Sequence, residues 1–241
     1  MRRSVAITLI VFGVVVVAGG VIADNSARAF AENLIATGVK TSLPSEVAGD
    51  VNVSVGGLSF ISQYLSGKLD EVTITSRDLQ LSGVPVTASI LAKGVPTDLG
   101  QPVDAIDATV TLSEAAVNAA AVPGAGSLTL LDGSVGYAGT LNVLGVSLNY
   151  MVRAAAAPSP GNVIMLTPQE VTLASEGGSL DLTGVLAGVK DTTVPLCLAS
   201  YLPKSLTISG VAVTAGAADI VISGRNIVLS PAILSTRGTC S

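Results

Sequence analysis

Between Val51 and Thr75 the apolar period of the chain changes twice. Val51, Val53 and Val55 alternate with Asn52 and Ser54, the period of a strand with one buried face. Gly56-Gly57 interrupts the alternation. From Leu58 the apolar positions become Leu58, Ile61 and Leu65, with Phe60 and Tyr64 four apart beside them, so a short helix carries a broad apolar face. Gly67 ends it, and Val72 and Ile74 then alternate with Glu71, Thr73 and Thr75 in a second strand. The predicted unit is strand, amphipathic helix, strand.

The same patterning extends along the chain. Ser26 is placed to cap a helix with Phe30, Leu34, Ile35 and Val39 on one face and Arg28, Glu32 and Asn33 elsewhere, ended by Gly38 and Pro44. Strand alternation follows from Leu79 to Ile90, then a Gly/Pro loop over 94–102, then a one-sided strand through Ile106, Ala108, Val110 and Leu112. Ser113-Glu114 opens an alanine-rich helix through Ala121, closed by Pro123-Gly124. Asp132-Gly133 marks a hairpin turn, and Val146, Leu148, Tyr150 and Val152 share one strand face. Residues 154–161 read as a small-residue and proline loop, Val163 to Leu166 and Val171 to Leu173 as two short strands, and Leu206 to Leu229 as four β runs separated by Gly210, Gly216 and Gly224. This is a β-rich α+β pattern.

Two stretches carry a family resemblance. The pattern V-x-V-x-G-x-x-F-[LI]-x-Q-x-L-x-G, followed by a short strand, stands here as Val53, Val55, Gly57, Phe60, Ile61, Gln63, Leu65, Gly67, Val72 and Ile74. It resembles the LmeA-like phospholipid-binding family of actinobacterial envelope proteins, whose members often carry proline where this chain has Ser59. The run from Leu202-Pro203 through Leu206 and Ile208 to Val211, Val213, Gly216, Ile220, Ile222 and Gly224 is similar to the closing strands of that family. The resemblance covers residues 25 to 230 and implies a tubular, BPI-like lipid-binding fold, in which a curved antiparallel sheet rolls around a helix and leaves an apolar groove. It implies phospholipid as the partner and extends to a supporting role in envelope glycolipid assembly. On it we expect Leu58, Phe60, Ile61, Tyr64 and Leu65 to form the mouth or wall of the groove, the tyrosine with its ring on acyl chain and its hydroxyl towards water or a headgroup.

Composition fits a lipid shelter without requiring one. Apolar residues make up 49% of the chain but aromatic residues 3%, with no tryptophan, so the interior is aliphatic, as either a packed core or a groove wall. The formal charge of −5, with no basic cluster, argues against nucleic acid. Histidine is absent, which removes the commonest catalytic base and metal ligand. The hydrolase elbow has a near miss at Asp132-Gly133-Ser134-Val135-Gly136, with Asp in place of the first glycine and a hairpin as context. Asp104 and Asp107 fall on opposite faces of their strand, and Gly56-Gly57 and Gly177-Gly178 lack the lysine of a phosphate loop. Hence no catalytic residue, metal or cofactor is expected; the alternative to a lipid carrier is a structural envelope protein with a filled core.

The N-terminus addresses the compartment. Arg2 and Arg3 precede Val5 to Ala23, nineteen residues without a charge, ending at Asp24. As a helix the run extends about 28 Å, close to a bilayer's hydrocarbon thickness. Val21-Ile22-Ala23 also resembles a signal-peptidase site. Residues 1–23 are thus an anchor or a cleaved signal, and both readings place a single domain, 24–241, outside the cytoplasm in the cell envelope, in contact with the membrane. Cys197 and Cys240 are the two cysteines and form the expected disulfide of an exported chain. Oligomeric state is not legible.

Overall fold

The computed structural model describes residues 2–42, 47–81, 84–98, 100–120, 126–143, 146–175, 193–230, 233 and 236–240; the side chains of 2–18, 42, 47, 81, 84, 120, 141–143, 146–148 and 173–175 lie outside that description. The chain runs through α1 (Arg2–Ser42), β1 (Val47–Ala48), β2 (Asn52–Val55), α2 (Phe60–Leu65), β3 (Lys68–Leu81), β4 (Val84–Pro96), β5 (Pro102–Ser113) and α3 (Glu114–Ala120). It continues through β6 (Ser127–Leu131), β7 (Ser134–Val143), β8 (Val146–Ser159), β9 (Val163–Ser175), β10 (Val194–Cys197), β11 (Thr207–Thr214) and β12 (Ala217–Val228). The expected turns at Pro44, Pro123-Gly124 and Gly177-Gly178 lie outside the described residues.

The β-rich α+β expectation holds, and the strands divide between two antiparallel sheets where the resemblance implied one. A seven-stranded sheet has the order β1-β3-β4-β5-β12-β11, with β2 also on β3, and a five-stranded sheet has the order β10-β9-β8-β7-β6. The last two strands return to the sheet of the first half, β12 pairing along β5, so the smaller sheet is an insertion between them.

Register brings Ile74, Ile90, Ala108, Ile222 and Ile208 into one row across five strands of the larger sheet. Directly paired residues share a face, so this row marks the face to be buried. Two different elements cover it. At the β2–β3 end, Ala27, Ala31 and Ile35 of α1 pack on the cluster of Val53, Val55, Phe60, Leu69 and Val72. At the β11–β12 end, Ala156, Ile164 and Leu166 of the smaller sheet pack on Ile208 and Ile222. Ile74 packs against the first cluster and Ile90 and Val110 against the second, all three only half-buried.

Three sequence expectations change. Of the loop expected over 154–161 only Pro160-Gly161 turns: β8 continues to Ser159, because alanines are what fits where the sheets meet, with Ala154 buried and Ala156 in the inter-sheet cluster. The two short runs after it are one strand, β9, whose register shifts opposite Arg153/Ala154 with Gln169, next to Pro168, as the extra residue of a bulge. The loop over 94–102 shortens because Val95 and Pro96 still pair with Leu69 and Lys68, and the four C-terminal runs are two strands joined at Gly216.

The helix expected from Ser26 is part of the longer α1, and Gly38 does not end it. Its inward face also differs. Ile35 turns inward as expected, but Phe30 is 67% exposed and Leu34 is exposed too, while alanines and a polar row face the sheet. Among the described residues no helix is long and apolar enough to cross a membrane, and most of the run 5–23 falls on side chains outside the description.

A few polar contacts lock the sheets together. Asn162, in the β8–β9 turn at φ 59, is buried; its Oδ1 accepts from the Ile208 amide at 2.9 Å and its Nδ2 donates to the Leu206 carbonyl at 3.0 Å. The β6–β7 turn meets the β11–β12 turn, where Gly133 N donates to Val213 O and Asp132 Oδ1 accepts from Ala215 N. Ser134 opens β7 opposite Leu131, so the near-elbow is a hairpin. Cys197, at the end of β10, is bonded to Cys240 across a Cα–Cα distance of 6.1 Å, fixing the tail against the 199–204 segment, where Gly238 N donates to Ala199 O.

The disulfide closes a sequence separation of 43 residues, for which loop entropy gives about 4 kcal/mol. Alkylation under denaturing, non-reducing conditions should find no free thiol, and Cys197→Ser with Cys240→Ser should lower unfolding stability by roughly 2–4 kcal/mol in a denaturant titration.

Candidate lipid-binding site

The segment that joins β2 to β3 has an unusual local problem. Leaving β2, its backbone turns through Gly57 at φ +90 and enters a helix of six residues, too short to satisfy most of its own amides and carbonyls. Ser59 caps it from within: its hydroxyl accepts from Ser62 N at 3.2 Å. Proline at this position could do neither that nor the hydroxyl donation from Ser59 to Asp24 Oδ1, at 2.8 Å.

The rest comes from α1. Asp24, Arg28 and Glu32 stand four apart, hence in one row along the helix. The Asp24 carboxylate accepts from the amides of Phe60 (3.0 Å) and Ile61 (2.8 Å), the first two of α2. Arg28 donates to the carbonyls of Val55 and Gly57, both at 3.0 Å, and of Leu58 at 3.3 Å. Glu32 Oε1 accepts from Val55 N at 2.8 Å. Donation by the Ile61 and Phe60 amides and the Ser59 hydroxyl, with the Arg28 charge added, holds Asp24 down at about 2, below the ordinary 3.8.

Gln63 locks the other side. It is buried, its Nε2 donates to the carbonyls of Gly56 and Ser59, and its Oε1 accepts from Asp70 N at 2.7 Å. A Cβ on Gly57 would lie 2.2 Å from that Nε2, so the residue is glycine for space as well as for φ.

This framework sorts the five expected site residues. Phe60 is 8% exposed and belongs to the core cluster beneath α1, so it is the anchor of the helix. Leu58, Ile61, Tyr64 and Leu65 are exposed, Leu65 at 80%, and Tyr64 stacks on Phe60 with ring centroids 6.0 Å apart. The helix therefore presents a bulky apolar surface outward while one aromatic ring pins it. In the sequence Arg28 and Glu32 fall off the apolar face, Gln63 stands only as a motif position and Asp24 only as the end of the uncharged run. The four-residue spacing of Asp24, Arg28 and Glu32 was the available signal.

Two outcomes follow. A carboxylate whose folded value is depressed contributes stability above its unfolded value and loses it as pH falls through the folded one. Asp24→Asn should therefore be less stable than the parent at neutral pH, with the gap in denaturant midpoint closing as pH falls from 3.8 towards about 2. Phe60→Ala should lower unfolding stability by about 3–5 kcal/mol, whereas Leu65→Ser should change it by less than about 0.5 kcal/mol in the same titration.

No curated protein and no solved structure matches the chain. The family profile described as LmeA-like phospholipid-binding matches residues 22–223, which takes in the Asp24 row, α2, both sheets and most of β12. The chain belongs to the LmeA-like phospholipid-binding family.

Proposed function

We propose that this protein shelters the acyl chains of a phospholipid outside the cytoplasmic membrane, as a carrier serving envelope lipid or glycolipid assembly. The observation that carries this reading is the incompletely covered aliphatic face of the larger sheet. Ile74, at the edge of the cluster under α1, and Ile90 and Val110, at the edge of the inter-sheet cluster, are only half-buried on the same face as the buried row. An acyl chain laid along this strip completes the cover that neither element supplies, and α2 stands at one end of the strip as its mouth. Leu58, Ile61, Tyr64 and Leu65 line that mouth, with Phe60 behind them.

The physical demand matches. A phospholipid exposing about thirty methylenes to water at roughly 0.8 kcal/mol each faces a barrier above about 20 kcal/mol, so a carrier needs an aliphatic enclosure rather than reactive groups. Location outside the cytoplasm is supported by Arg2 and Arg3 ahead of the uncharged run and by the Cys197–Cys240 disulfide.

Mass spectrometry of organic extracts from the purified protein should find phospholipid in near-stoichiometric amount; its absence would leave a filled core. Ile90→Trp separates the two directly. With a lipid strip it should displace the phospholipid at little cost in stability, and in a filled core it should overpack and destabilise by about 1–3 kcal/mol without any lipid to lose.

A further inference from the structure

The exposed surface of α2 lies at a particular level of the molecule. Along α1, residues 19 to 23 are exposed, including Val21 and Ile22, and among the residues whose side chains are described Asp24 is the first to become half-buried. The folded body therefore begins at Asp24. That residue is also where the uncharged run Val5 to Ala23 ends, and its carboxylate carries the first amides of α2. Thus α2 is the element at the end of the body from which the apolar run departs, and four bulky apolar side chains face solvent there.

We propose that α2 is a bilayer-contacting foot. With residues 5–23 taken as the retained anchor rather than a cleaved signal, and that run in the membrane, Leu58, Ile61 and Leu65 enter the boundary between headgroups and acyl chains, and Tyr64 sits at the interface with its hydroxyl among the headgroups. The occupant of this surface is the phospholipid bilayer that holds the same helix. Tethering makes a small apolar patch sufficient, because docking is then intramolecular and the local concentration of bilayer is high. Charge has little part in it: the chain carries a formal −5, so attraction to anionic lipid is not the driving force. The clamp of Asp24, Arg28 and Glu32 fixes the foot to the anchor, which sets the mouth of the lipid strip on the membrane surface. For the lipid's path from bilayer to strip, though not for the docking, the inference rests on the phospholipid-binding reading.

The test uses the full chain reconstituted in phosphatidylcholine vesicles, with and without phosphatidylglycerol. Single cysteines are introduced as Leu65→Cys, Leu58→Cys and, as a control on the exposed face of β11, Ala212→Cys. The native cysteines stay oxidised, so an environment-sensitive dye labels the new thiol alone. Nitroxide-labelled phospholipid should quench the dye at Leu58→Cys and Leu65→Cys several-fold more than at Ala212→Cys, to the same extent with and without phosphatidylglycerol. Replacing Leu58 and Ile61 with serine in the Leu65→Cys chain should lower the docked-to-undocked ratio about tenfold or more. Equal quenching at all three positions, or quenching that appears only with phosphatidylglycerol, would overturn the proposal. Phospholipid extracted from the same preparations keeps the two ideas apart: bound lipid with no preferential quenching ends the foot and leaves the carrier, and preferential quenching with no bound lipid ends the carrier and leaves the foot.

Discussion

The backbone between Val55 and Ile61 cannot satisfy itself, and the row Asp24, Arg28 and Glu32 does it instead. Amides at Val55, Phe60 and Ile61 meet carboxylates, and carbonyls at Val55, Gly57 and Leu58 meet one guanidinium. Charge-assisted bonds of this kind are roughly twice as strong as neutral ones. The position of α2, the burial of Phe60 and the seating of α1 on the sheet are therefore one event. Gln63 completes it from the opposite side, tying the same helix to Gly56 and Asp70.

Around that junction the fold is an aliphatic face with two partial covers. α1 can approach β2 closely because Ala27 and Ala31 are small, and β8 can approach the larger sheet because Ala154 and Ala156 are small. Neither cover spans the whole row from Ile74 to Ile208, and Ile74, Ile90 and Val110 are only half-buried along it. Asn162 and the disulfide hold the smaller sheet and the tail in place at the far end, so the two covers are fixed independently of each other.

The legible parts of the sequence were those where a local period reports a local environment. Val53 and Val55 alternate because one face of β2 is buried, and the helix over Phe60 to Leu65 is set locally by the Ser59 cap and the flanking glycines, although its buried side is Phe60 and Gln63 rather than the apolar row. Ser113 capping α3 through Ala116 N, and Asp132-Gly133 turning β6 into β7, are equally local. The motif around Phe60 and Gln63 was enough to indicate the family. The misread segments share a cause. Alanine, proline and glycine over 154–161 look like a loop when counted by composition, yet the alanines are the residues that fit a strand pressed between sheets. Phe30 and Leu34 look like a buried face when counted by hydrophobicity, yet the side that docks is chosen by unsatisfied backbone groups on another element.

Thus the sequence by itself determined the aliphatic character of the interior, the high strand content, the strand–helix–strand unit at its centre, the cysteine pair and the uncharged N-terminal run, because each is a property of neighbours along the chain. Tertiary structure decided the rest. Division into two sheets, return of β11 and β12 to β5, the inward face of α1 and the sorting of Phe60 from Leu58, Ile61, Tyr64 and Leu65 all depend on contacts between residues far apart in sequence. An apolar side chain carries the same preference for burial wherever it stands, and which ones are buried is settled by which backbone groups need partners and where the small residues let two elements meet.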